Sequence, residues 1–399
     1  MTTPSHVPVA IIGAGPAGLT LAHLLHLQGV ESVVFETRSR QDVEETVRAG
    51  VLEQGTMQMM RETGVGERMD AEADIDEGID ISVDNQRTRI ALTELTGYHM
   101  AVYPQHEYLK DFIAKRIEDG GELLFNTTVD DVTGYDEDLC TVTYTDEAGV
   151  QHTLTADYVV AGDGSKSPYR KPILELPGAH RAHHEYPYAW FGILVNAPQT
   201  QKELIYATHD AGFALISTRS ETVQRYYLQC DPEDSVDMWP DEKIWEQLHL
   251  RVDSDDLQVS EGEIFDKNVL RFRSAVTEPM QRGRLFICGD AAHTVPPTGA
   301  KGLNLAVADV AVLAPALIRA VKKSNTDLLE KYSDLAIPRV WKAQHFSYWM
   351  SSMLHATPGE EYFQSQRRRG ELRAMLSSEA GRKYQAEQYV GMDLPKFDI

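Results

Sequence analysis

Four short apolar runs mark out the parallel part of the fold. VPVAII at 7–12 is an unbroken, largely β-branched run, the pattern of a strand buried on both faces. PAGLTLAHLLHLQG at 16–29 repeats apolar residues at helical spacing and stops at Gly29, and SVVFE at 32–36 is a second buried strand. Together they predict a βαβ unit. YVVAGDG at 158–164 and LFICGD at 285–290 predict two more buried strands, each ending in a glycine turn.

Between 185 and 230 the pattern changes. YAWFGILV, ELIYAT, GFALIS and VQRYYLQC are rich in aromatic and β-branched residues and separated by short turn-like segments, which predicts an antiparallel sheet. DEKIWEQLHLRV at 241–252 predicts an amphipathic helix. From 302 onward the chain reads as mostly helical, with a break at Pro338.

Gly13, Gly15 and Gly18 fit GxGxxG between the first strand and the first helix. In that setting the first glycine permits a tight turn, the second lets the backbone approach a pyrophosphate, and the third lets helix and strand pack closely. The helix N-terminus offers free N–H groups to phosphate. Glu36 ends the second strand, where a carboxylate can accept ribose hydroxyls. The alternative is a glycine-rich turn used for packing alone.

This motif does not separate NAD from FAD; the distant loop at 289–304 favours FAD. Asp290 is placed to accept a ribityl hydroxyl, and a helix starting near Gly302 can aim its dipole at a flavin pyrimidine edge. The alternative for Asp290 is a cap or turn residue. His293 in the same loop reads as structural. The fold class is α/β (α+β overall): a Rossmann-like FAD-binding domain over 1–180, completed by roughly 271–305, a β-rich substrate domain over 181–270 and a helical C-terminal part over 306–399.

Composition narrows the partners. The 399 residues carry 61 acidic against 38 basic side chains, a net charge of −23, which excludes nucleic acid and anionic membrane as natural partners. Cys140, Cys230 and Cys288 are scattered without metal-ligand spacing, so reduced thiols, no metal and a cytoplasmic setting are expected. The N-terminus has no signal-peptide pattern, and no apolar run approaches the ~20 residues of a membrane span. AVADVAVLAPAL at 306–317 is interrupted by Asp309 and reads as a buried helix, and RRR at 367–369 as a solvated helix face.

GAGPAG, GDG at 162–164 and GDAAH at 289–293 together resemble the FAD-dependent aromatic hydroxylases. The resemblance runs nearly end to end. Through RAGVLEQG (48–55), ELIYA (203–207), GFALISTRS (212–220), RYY (225–227), VPPTGAKGLNLA (295–306) and YVG (389–391) it narrows to members acting on 4-hydroxybenzoate. It implies NADPH or NADH as reductant, O2 as co-substrate, a flavin C4a-hydroperoxide, 3,4-dihydroxybenzoate as product, and a homodimer. It also assigns Arg48, Gln105, Asp163, Lys301, Gly302, Leu303 and Asn304 to the cofactor, and Arg225 to a mobile position beside it.

A hydroxybenzoate needs partners for a carboxylate and a phenol. Ser217 and Arg219 alternate on one strand and so share a face, as do Arg225 and Tyr227 on the next. Arg219 can grip a carboxylate bidentately, with Ser217 and Tyr227 adding hydroxyls. On sequence alone, surface charge is the commoner role for such an arginine; the resemblance reverses that. By resemblance, Tyr206 meets the phenol oxygen, Tyr389 stands behind it as a proton relay, and the Pro297 carbonyl accepts from the phenol.

Two stretches depart from the family pattern. Asp76, in DEG, stands where the relay commonly ends in histidine, and a carboxylate titrating near 4 suits neutral pH less well. For the nicotinamide cofactor, Arg38, Lys166 and Arg273 are basic candidates. Asp42, Glu44 and Glu45 oppose a 2′-phosphate, and Thr46 stands where a basic residue is familiar. A related phenol hydroxylase, a flavin reductase without oxygen chemistry and a flavin-binding sensor are the competing readings.

Overall fold

In the computed structural model, residues 5–48 and 50–397 are described; residues 1–4, Ala49 and 398–399 lie outside it. His6–Ile12 forms the centre of a parallel sheet, with Ser32–Phe35 and then Glu122–Leu124 on one side and Gln151–Ala161 and then Leu285–Ile287 on the other. The expected βαβ unit is present, its helix running Pro16–Leu27. Gln151–Ala161 is longer than the apolar run suggested. Its first half pairs antiparallel with Cys140–Thr145, its second half with the buried centre.

The fourth run is shorter than expected. The strand ends at Ile287, and Gly289–Ala291 turns into a single 3-10 turn before the helix Gly302–Lys323. Gly289, at φ +58°, is wedged between the two helices. A Cβ there would sit 3.2 Å from the Ala306 Cβ and 3.4 Å from the Ala17 Cβ. That close packing brings Asp290 beside the first glycine turn, 272 residues or more away in sequence from Gly18.

The second sheet has seven strands, in the order Glu263–Leu270, Ala189–Asn196, Val223–Cys230, Gly212–Thr218, Ile205–His209, Ile79–Val83, Gln86–Ile90. The four strands expected between 185 and 230 pair antiparallel. The last two come from early in the chain, and Ile79–Val83 pairs parallel to Ile205–His209. Asp84 and Asn85, both at positive φ, form the two-residue turn of their hairpin. A small sheet of Val51–Leu52, Met100–Val102 and Asp74–Asp76 links the two regions.

Three expectations about the C-terminal part need correction. Pro338 does not break its helix, which runs Tyr332–Leu354. The carbonyl it strips of a partner, that of Asp334, belongs to an exposed residue, where water can satisfy it. Of the arginine run, Arg368 and Arg369 are buried, at 3% and 2% exposure. Arg368 pairs with Glu360 and the Met353 carbonyl; Arg369 pairs with Asp84 and Asp210, pinning their helix, Tyr362–Ser377, to the second sheet. Gly302–Lys323 is long and apolar enough to cross a membrane, but 83% of its apolar window is buried within the protein. All three cysteines are free and buried.

Candidate active site

A cleft of about 950 Å³ opens where the parallel strands end, lined by the first glycine turn, Glu36, Asp163, Asp290 and the start of the helix Gly302–Lys323. The three glycines divide their work. A Cβ on Gly18 would lie 1.9 Å from the Gly13 carbonyl oxygen, and one on Gly13 would lie 2.6 Å from that of Gly162. On Gly15 the nearest atom is 3.8 Å away, so its missing side chain leaves room on the cleft side. Glu36 is buried and already engaged: it accepts from the Ala14 N–H at 2.9 Å and from Arg38 at 3.0 Å. Its Oε1 accepts from both the backbone N–H and the Nε of Arg38, which leaves Oε2 with a second lone pair for a ribose hydroxyl.

Two carboxylates in the cleft wait for donors. Asp163 Oδ1 is buried without a hydrogen-bond partner, and no protein donor meets Asp290 among the described residues. Desolvation raises the pKa of each; His293, Arg48 and Arg273 oppose it at Asp290. The buried, unpartnered Asp163 Oδ1, the cleft-exposed Asp290 carboxylate, the glycine cradle, and the N-terminus of a 22-residue helix fit a dinucleotide with polyhydroxyl chains. His293 is itself buried and bonded to Asp309 at 2.7 Å, and Asp309 also accepts from the Gly289 N–H at 2.8 Å, so its place is structural.

Of the other residues expected at the cofactor, Arg48, Gln105, Gly302 and Leu303 line the cleft. Lys301 lines it too, but its ammonium is buried between Glu53 at 2.6 Å and the Tyr389 carbonyl at 2.9 Å. Burial lowers its pKa, with Glu53 opposing. The positive field expected of Lys301 is therefore largely balanced by Glu53, a residue that carries no motif of its own and is brought to Lys301 only by the fold. Asn304 is not on the cleft: its amide bonds the Glu53 N–H, Thr56, and the Val51 and Ala300 carbonyls. Three of these partners, Val51, Glu53 and Thr56, lie in the segment that carries Glu53, so Asn304 ties that segment to the start of the helix Gly302–Lys323.

The substrate residues lie in the second sheet and in the C-terminal helices. Tyr206 and Tyr389, 183 residues apart, place their hydroxyls 2.6 Å from each other, and both are buried. Burial pushes both phenols above their usual pKa, so each stays neutral. Asp76, at 3% exposure, has its pKa pushed up to about 7 by burial, then by Glu203 and Asp74. The objection that an aspartate titrates too low is thereby removed.

Ser217 is buried, donates to the Arg225 carbonyl at 3.1 Å and accepts from Arg219 at 3.2 Å. Arg219 has no carboxylate partner among the described residues, and desolvation lowers its pKa. Arg225 is turned onto Asp266 at 3.0 Å and Asn268 at 3.1 Å, with its guanidinium 5.0 Å over the Tyr227 ring. Pro297 lines the cleft, in the turn Pro297–Gly299. Phe272 joins the two groups of residues: it lines the cleft and packs on Trp190, which packs on Tyr227.

At the nicotinamide candidates, Arg38 is tied to Glu36, Arg40 to Glu44 at 2.7 Å, and the Thr46 hydroxyl to the Asp42 carbonyl. Asp42 is exposed and capped by Ser39. Lys166 and Arg273 are exposed without carboxylate partners among the described residues, and only Arg273 lines the cleft.

Residues 6–347 match the family described as FAD binding domain. The p-hydroxybenzoate hydroxylase of Acinetobacter baylyi is 38% identical over 386 residues, covering 96% of this chain and 95% of that protein. A 3-(3-hydroxy-phenyl)propionate/3-hydroxycinnamic acid hydroxylase of Burkholderia vietnamiensis is 29% identical; that match covers 77% of this chain but only 55% of that protein's length. Among solved structures, the p-nitrophenol 4-monooxygenase PnpA from Pseudomonas putida superposes with a TM-score of 0.79 at 21% identity, covering 97% of this chain and 99% of that one.

Proposed function

This chain belongs to the FAD binding domain family as an FAD-dependent aromatic hydroxylase, and from that premise we propose that it hydroxylates 4-hydroxybenzoate at the 3-position. The products are 3,4-dihydroxybenzoate and water, from O2 and a reduced nicotinamide. The observation that carries this reading is Arg219: a partly desolvated guanidinium without a carboxylate partner among the described residues, in a chain with 61 acidic residues. The guanidinium is half-buried; a partly desolvated charge left unpaired is costly, and a substrate carboxylate would supply its partner. At the phenol end the Tyr206–Tyr389 pair accepts and passes on a proton, and Asp76, near 7, can hold it at neutral pH.

FAD, when bound, supplies the redox chemistry and the activated oxygen. The chain's part is to bind and orient. Gly13 and Gly18 allow the tight turn and close helix packing, Gly15 would leave room for a pyrophosphate that Arg48 could pair, Glu36 and Asp290 would accept hydroxyls, and the helix start at Gly302 and Leu303 would lie toward the flavin end. The Pro297 carbonyl orients the substrate phenol.

For the reductant we read NADH as the better fit. Both arginines after the second strand are already matched with carboxylates, and Asp42 and Glu45 repel a 2′-phosphate. A homodimer is the expected assembly, and the exposed Tyr362 and Phe363, at 81% and 75%, suit such a contact. The test is incubation of the FAD-loaded protein with a panel of hydroxybenzoates, O2 and either nicotinamide, followed by product analysis. Formation of 3,4-dihydroxybenzoate from the 4-hydroxy isomer is expected. Nicotinamide oxidation yielding only peroxide with every isomer would overturn the substrate assignment.

A further inference from the structure

His355 caps the helix Tyr332–Leu354 and is fully buried, at 0% exposure. It belongs to none of the motifs discussed above. Its Nδ1 lies 2.8 Å from the Ser351 carbonyl, and its Nε2 lies 2.6 Å from the Trp190 indole nitrogen. A carbonyl can only accept and an indole N–H can only donate, so the ring is held in one tautomer: Nδ1 carries the proton and Nε2 presents a lone pair. Burial, together with Arg368 and Arg251, pushes its pKa down to about 3, so it stays neutral.

The imidazole is also a packing centre. It stacks on Tyr188 at 4.4 Å and 7° and packs on Phe213 at 4.2 Å. Trp190 in turn lies against Tyr227 at 4.8 Å, and Phe213 lies against Tyr206 at 6.3 Å. From Ser351, whose carbonyl His355 grips, the hydroxyl meets Thr298 at 2.8 Å, in the turn that carries Pro297.

We infer that His355 is a positioning residue: by fixing Trp190, Phe213 and Ser351 together, it sets the spacing between the carboxylate end and the phenol end of the substrate pocket. The inference rests on the reading that an aromatic acid lies between Arg219 and the tyrosine pair.

The test uses the FAD-loaded full chain with His355→Leu, His355→Gln and Trp190→Phe. Glutamine carries an acceptor and a donor at its end; leucine carries neither. Three quantities are read: the near-UV circular dichroism of Trp190 without substrate, the Kd of 4-hydroxybenzoate from the flavin absorbance change, and hydroxylated product per NADH oxidised. His355→Leu is expected to weaken binding about tenfold or more and to lower the product fraction, at unchanged FAD content. His355→Gln should recover most of both, and the tryptophan band assigned through Trp190→Phe should collapse in leucine and return in glutamine.

Equal losses in leucine and glutamine, or parental behaviour of leucine, overturn the inference. If leucine does not fold, glutamine against Trp190→Phe carries the comparison: a parental glutamine variant beside an impaired phenylalanine variant supports the hydrogen-bond role, and equal impairment of the two refutes it. A parent that never hydroxylates 4-hydroxybenzoate sinks the substrate reading instead, while the tryptophan band still reports on His355 alone.

Discussion

Around the cleft, Asp290 and Asp163 Oδ1 face no protein donor, and Arg48 and Arg273 have no carboxylate partner among the described residues. In the second sheet most polar groups are already matched: Tyr206 with Tyr389, Ser217 with Arg219 and Arg225, Arg225 with Asp266. There Arg219 alone among the substrate residues is a cation without a counter-ion. The cofactor region collects acceptors and cations suited to a large ligand with many hydroxyls and phosphates. The substrate region is a pre-assembled frame with one charge left open, so it can select a small ligand by a single missing partner.

The comparison is tested most severely inside the glycine turn. Gly15→Val should keep the fold, because space is open around that position, yet lose FAD entirely by closing the approach to the pyrophosphate. Gly18→Val should lose the fold as well, because its Cβ would collide with the Gly13 carbonyl. Flavin absorbance and thermal unfolding of the two proteins separate these outcomes; retention of flavin by Gly15→Val would break the account of the cleft.

In the matched region, Tyr206→Phe removes one hydroxyl of the pair and should lower turnover by roughly 10²–10³-fold, with FAD binding unchanged. Stopped-flow measurement of product formation and flavin content checks both parts.

Asp76→Asn tests the relay's end and has a stability signature. The carboxyl is raised from 3.8 to about 7, so between those values the folded chain holds a proton that the unfolded chain has released. Stability therefore falls as pH rises through that window. Asparagine removes this penalty: the drop in unfolding free energy between pH 5 and 8 should shrink by on the order of 2–3 kcal/mol. The variant should also lose the pH dependence of phenol deprotonation near 7. Denaturant titrations at the two pH values, and the substrate's ultraviolet spectrum when bound, read these effects.

The smallest effect is expected at the exposed nicotinamide surface. Thr46→Arg should lower the KM for NADPH by roughly threefold and leave that for NADH nearly unchanged, the scale of one exposed ion pair. Steady-state kinetics with both cofactors decides it.

The difference between the regions also explains what was legible in the sequence. The βαβ unit and the turn at Asp290 depend on residues within a few positions of one another, so periodicity and glycine spacing disclosed them. The strands Ile79–Val83 and Gln86–Ile90 were not disclosed, because their neighbour Ile205–His209 lies more than a hundred residues away. Arg369 read as solvated for the same reason; its partner Asp84 is 285 residues distant. The Pro338 break failed because propensity speaks of an isolated helix, whereas this one is packed on its other faces. Asp76 looked too acidic because its pKa is set by burial among residues brought together only by folding.

The open charge at Arg219 is tested most directly by measuring the binding of 4-hydroxybenzoate and of 4-hydroxybenzamide to the FAD-loaded parent and to Arg219→Met. The parent should prefer the acid by roughly 10²–10³-fold, and the variant should show almost no preference between the two, because the carboxylate then has no partner. An undiminished preference for the acid in Arg219→Met would contradict the account.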